Sequence, residues 1–142
     1  MKQVAWAVAV LGLLCLGARA AEAQDQRPTG VDLKQNRPNP FNPATTIPFS
    51  LNGDVFANGH RPRVSLRIYN VIGQLVAVPI LQGAGVPLDN VELDCSSPSG
   101  CDFSAYWDGK VLNSNREAPS GVYLYQLVVD GQRFTRRMLV LK

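Results

Sequence analysis

Cys95 and Cys101, the lone histidine His60, and the carboxylates Asp89, Asp94 and Asp102 are the side chains whose types and spacing would do chemistry. Two cysteines with five residues between them read as a disulfide or as part of a zinc site. Zinc needs four ligands, and His60 adds only one. The disulfide is the favoured reading, and closing so short a loop stabilises by about 2 kcal/mol. Asp89, Asn90, Asp94 and Asp102 flank this loop and offer oxygens to Ca²⁺, but their spacing fits no EF-hand or other calcium loop. His60 lies in a Gly- and Asn-rich stretch, and no serine sits in a nucleophile-elbow pattern. The expectation is no catalytic residues, no metal ligands, no cofactor and no enzyme activity.

The disulfide reading presupposes an oxidising compartment, and the N-terminus supports one. Lys2 supplies a positive n-region, Val4 to Leu16 an apolar stretch, and Ala18-Arg19-Ala20 or Ala21-Glu22-Ala23 a small-x-small cleavage pattern. Residues 1–23 are expected to be a signal peptide cleaved after Ala23, with Ala20 as the second choice. The apolar stretch falls short of the roughly 20 residues that cross a bilayer, so no stable membrane span is expected. Cleavage removes Cys15 and leaves Cys95 and Cys101 as the cysteines of the exported chain. The protein is expected in the periplasm, at the cell surface or outside the cell.

The elements that would carry these residues are strands. After a polar stretch, residues 24–36, expected to be a flexible tail, the run Pro38 to Pro43 (PNPFNP) fixes φ at three prolines and makes a rigid non-helical entry. Alternation then predicts strands over Thr46–Leu51, Arg63–Tyr69, Leu75–Leu81, Val86–Leu93, Phe103–Trp107, Gly121–Val129 and Arg133–Leu141. Asp130-Gly131-Gln132 marks a hairpin between the last two. Pro48 suggests an edge position for its strand. About seven strands with turns at roughly ten-residue spacing predict an all-β, immunoglobulin-like antiparallel sandwich over residues 37–142. Trp107, entering the Asp108-Gly109 turn, reads as a core or corner plug before a ligand platform. Tyr123 and Tyr125 share one strand face, so at least one should be buried with its hydroxyl paired.

Five blocks then occur in order: PNPFNPATTIPFSL (Pro38–Leu51), VSLRIYNVIGQLV (Val64–Val76), WDG (Trp107–Gly109), SGVYLYQL (Ser120–Leu127) and FTRRMLVLK (Phe134–Lys142). Together they resemble the type A C-terminal sorting domains of type IX secretion cargo, which are similar to the immunoglobulin-like domain of the flagellar hook-capping protein. The resemblance runs from about Leu33 to Lys142. It implies a secretion address read by an outer-membrane translocon, often removed by a sortase-like protease, with recognition placed on the C-terminal strand. Arg133, Arg136, Arg137 and Lys142 are the residues this singles out. Two departures from the family pattern stand out: little chain separates the signal peptide from the domain, where a passenger is usual, and the Cys95–Cys101 loop interrupts the approach to the WDG turn. The alternative is a stand-alone adhesive or structural module that binds a surface protein or glycan. The formal charge of +3 is spread along the chain without an aromatic-interleaved basic run, so nucleic acid is not an expected partner.

Overall fold

A computed structural model describes residues 30–142. The expected signal peptide, its cleavage after Ala23 and residues 24–29 of the expected tail lie outside the described residues.

Ten strands follow one another: β1 (Val31–Leu33), β2 (Thr45–Asn52), β3 (Arg63–Tyr69), β4 (Leu75–Ala77), β5 (Ile80–Leu81), β6 (Val86–Pro87), β7 (Val91–Glu92), β8 (Gly100–Trp107), β9 (Gly121–Val129) and β10 (Gln132–Val140). They form two antiparallel sheets. One has the order β1-β2-β8-β5-β6; the other runs β10-β9-β3-β4, with β7 also paired to β3. The all-β sandwich expected from the alternation is what the chain adopts.

The inward positions supply the core. Ile47, Phe49 and Leu51 of β2 face Val64, Leu66 and Ile68 of β3, joined by Tyr123, Tyr125, Leu127 and Val129 of β9, and all are buried. Each aliphatic or aromatic side chain so placed contributes about 1.5–3 kcal/mol of transfer free energy. That gain holds the period-2 pattern in register, since a one-residue slip would turn the whole apolar set outward.

The strand count exceeds seven because β1 precedes the expected set and two expected strands change sheets midway. Leu75–Leu81 divides into β4 in one sheet and β5 in the other, with Pro79 between them. Val86–Leu93 divides likewise into β6 and β7 around the fully buried Leu88. The Leu88 amide donates to the Pro79 carbonyl and its carbonyl accepts from Leu66, so this corner satisfies its own backbone.

The domain begins before Arg37, which corrects the flexible-tail reading over residues 30–36. Val31–Leu33 pairs with Leu51–Phe49 as β1, and both Leu33 and Asn36 are buried. Polar composition was misleading because the polar groups are paired. The Asn36 amide donates to the Tyr125 hydroxyl, and its side-chain amide donates to the Pro38 carbonyl and Thr45 Oγ1.

The edge reading for Pro48 is also corrected, since β2 lies between β1 and β8. The Lys34 amide donates to the Pro48 carbonyl, so the position where Pro48 lacks an N–H faces the Lys34 carbonyl. Tyr125 reaches across and donates its hydroxyl to that carbonyl at 2.7 Å. A side chain thus supplies the hydrogen bond that proline cannot.

Cys95 and Cys101 form the expected disulfide, with Cα atoms 5.9 Å apart. Cys101 pairs with Leu51 of β2, so the bridge ties the loop to the start of β8. Replacing both cysteines with serine is expected to cost about 2 kcal/mol in urea unfolding while leaving the β-sheet circular dichroism unchanged.

Candidate recognition surface

The last hairpin positions the candidate residues. Asp130 (φ 48°) and Gly131 (φ 83°) make the two-residue turn, and Val129 and Gln132 close it. Along β10 the backbone groups of even-numbered residues therefore bond to β9, while those of Arg133, Thr135, Arg137, Leu139 and Leu141 point to the outer edge.

The four singled-out residues do not form one patch. Met138 and Val140 mark the core-facing side of β10, which Arg136 shares, and Arg133 and Arg137 stand on the outer face. Arg136 uses Nε to cap the Leu33 carbonyl, which tethers the edge of β1 to that of β10. Lys142 is also engaged: its ammonium lies 2.9 Å from Glu117, and its amide donates to Ser120 Oγ. The hydrogen bond and charge of Lys142 hold the Glu117 carboxyl below its ordinary range. Arg133 and Arg137 are exposed and in no ion pair among the described residues, whereas Arg61, Arg63 and Arg67 pair with Asp94, Glu92 and Asp89.

The strand edge itself is half closed. Gln35 donates to the Arg137 carbonyl, Asn39 Oδ1 accepts from the Leu139 amide, and Phe41 bonds both the Leu139 carbonyl and the Leu141 amide. Lys34 and Arg37 of this segment instead line a shallow pocket on the other sheet with Pro48, Asp102 and Ser104. Only the tertiary fold brings Gln35, Asn39 and Phe41 beside β10, because they lie about a hundred residues away in sequence.

Two further features lie at the two ends of β3. The β3–β4 turn is held by Asn70, whose side chain accepts from the amides of Ile72 and Gln74 and donates to the Gln74 side chain. It carries Val71 and Ile72 outward, 70% and 74% exposed. At the opposite end of β3, His60 Nε2 lies 2.7 Å from Asp130 Oδ2, and the Arg63 amide donates to Asp130 Oδ1. Asp89, Asp94 and Asp102 are dispersed onto Arg67, Arg61 and Ser50, so the structure does not gather them. Among the described residues no three His, Cys, Asp or Glu side chains come together as a metal site.

Asp130 gives a pH prediction. Partial burial pushes its carboxyl up, but the hydrogen bonds from His60 and the Arg63 amide, with the charges of both residues, outweigh this and leave it lowered. A carboxyl depressed by folding stabilises above its unfolded value, near 3.8, and that contribution is lost as pH falls through the folded value. Asp130→Asn keeps a residue tolerant of positive φ. It is expected to lower stability at pH 7 by less than about 1 kcal/mol, given the exposure of the pair. In thermal melts the difference should shrink as pH falls below 3.8 and through the folded value.

No protein-family model matches the chain, and no curated protein does. Among solved structures it is similar to Pseudomonas fluorescens alkylpurine DNA glycosylase AlkC bound to DNA containing an abasic site analog. Identity is 10% and the TM-score 0.43, over 80% of this chain and 31% of that one. A likeness this loose bears on neither fold nor activity.

Proposed function

We propose that this protein is an exported, non-catalytic sandwich whose folded surface is read as a sorting address, as the type IX secretion resemblance implies. The observation that carries the reading is the meeting of four of the five blocks at one corner. Trp107 packs edge-on against Phe41 at 5.3 Å and against Tyr123 at 5.9 Å, and Phe41 bridges to Val140 in parallel. Residues from the PNPFNP, WDG, SGVYLYQL and C-terminal blocks thus depend on one another, which gives a physical reason for their joint occurrence. The partners on this reading are an outer-membrane translocon and a sortase-like protease.

A stand-alone adhesive module at the surface or in the periplasm is the second reading, favoured by the exposed Val71–Ile72 tip. Deleting Phe134–Lys142 would not separate the two, because Met138 and Val140 belong to the core and their loss would unfold the sandwich. The test is instead to place Gln24–Lys142 behind a signal peptide and passenger, with passenger alone as control, in type IX-competent cells and in the same cells lacking the translocon. Surface passenger that requires both domain and translocon is the expected result. Passenger held in the periplasm in every arm would sink the sorting reading and leave the adhesive one.

A further inference from the structure

We infer that the open half of β10, Arg133 to Arg137, accepts an acidic peptide segment as an added strand. The inference rests on the reading of this domain as an object of recognition and names the chemistry of what would recognise it.

The edge offers a strand-shaped set of backbone groups. The N–H and C=O of Arg133 and Thr135 and the N–H of Arg137 point outward and have no partner among the described residues. From the Arg137 carbonyl onward the edge is occupied by Gln35, Asn39 and Phe41. The vacancy therefore has a defined length and a defined end. An extended peptide matches such alternating donors and acceptors, which is the basis of recognition by strand addition.

Charge selects the occupant. Arg133 and Arg137 flank the opening from the outer face, and Arg136 lies at its inner rim. None of the three is in an ion pair among the described residues. A second copy pairing through the same edge would set arginine against arginine, and like charges across strands are destabilising. A carboxylate-bearing strand meets the same groups favourably. A polyanion without a peptide backbone would satisfy the guanidiniums but leave the two carbonyl acceptors unmatched.

The probe is a fluorescein-labelled alternating Thr–Glu octapeptide, titrated by anisotropy into the purified protein. Controls are the Thr–Lys peptide, a Thr–Glu peptide N-methylated at every residue, and heparin. Exchange of the Arg133, Thr135 and Arg137 amides is followed by NMR. The expected result is saturable binding of Thr–Glu, loss of binding on N-methylation, and slowed exchange at the three amides. The exposed pair Arg133→Glu/Arg137→Glu should weaken binding about tenfold without shifting Tm. Absence of saturable binding overturns the inference. So does equal binding of the N-methylated peptide, or heparin competition with the amides unprotected, since either makes the patch a plain anion surface. These outcomes are independent of whether the domain delivers a passenger.

Discussion

Gly109→Ala is expected to cost about 4 kcal/mol or more, a large part of the usual 5–15 kcal/mol of a domain. Gly109 adopts φ +83°, and a Cβ built there would lie 1.9 Å from the Pro43 carbonyl oxygen. The left-handed conformation alone costs an alanine about 1 kcal/mol. The remainder comes from displacing the segment that ends at Pro43, because two residues earlier Phe41 is buried against Trp107. Moving it opens space beside Trp107 and strains the hydrogen bonds that Phe41 makes with Leu139 and Leu141. The Gly109 carbonyl also accepts from the Ala118 amide at 2.7 Å, so both flanks of the turn are held. Gly83 is the internal control: it too has positive φ (+90°), but nothing lies within 4 Å of its Cβ position. Gly83→Ala should cost only about 1 kcal/mol. Urea unfolding of the two variants separates conformational strain from the clash, and equal costs would mean that Pro43 gives way freely.

The contrast between Gly109 and Gly83 also shows what can be read from sequence. Both look like turn residues, and only the chain returning over Gly109 distinguishes them. The parts that were legible depend on neighbours in sequence: β3 and β9 from their alternation, the β9–β10 hairpin from Asp130-Gly131, the disulfide from cysteine spacing. Trp107 as a corner plug was legible for the same reason, through the Asp108-Gly109 turn that follows it. The sheet changes at Pro79 and Leu88 were hidden because period-2 alternation continues while a strand passes from one sheet to the other. Asn36 was read as solvated because its partner Tyr125 is 89 residues away. The candidate surface behaves likewise. Arg133, Arg136 and Arg137 are singled out through the family resemblance, yet strand geometry turns Arg136 to the opposite face. Gln35, Asn39 and Phe41 reach this edge only through tertiary pairing.

Tyr125→Phe is expected to cost about 3 kcal/mol and lower Tm by roughly 10 °C, although it removes one oxygen atom and leaves the ring in place. The hydroxyl serves two backbone groups, donating to the Lys34 carbonyl at 2.7 Å and accepting from the Asn36 amide at 3.1 Å. Burial raises the phenol above its ordinary value, against the Asn36 hydrogen bond and the charge of Arg136, so it keeps the proton it must donate. Its removal leaves the buried Asn36 amide and the part-buried Lys34 carbonyl without partners, at about 1–3 kcal/mol each. The need for the hydroxyl originates in Pro48, and a double-mutant cycle tests that link. Pro48→Thr restores an N–H directed at the Lys34 carbonyl. In the parent it should be neutral or slightly destabilising, by up to about 1 kcal/mol from the lost rigidity of proline. In the Tyr125→Phe background the same change should recover about 1 kcal/mol, because Lys34 regains a donor while Asn36 stays unpaired. The expected coupling is thus about 1 kcal/mol or more, well outside the 0.3–0.5 kcal/mol within which independent sites add. Simple additivity would show that the tyrosine acts by packing alone and that the missing proline donor imposes no cost it relieves.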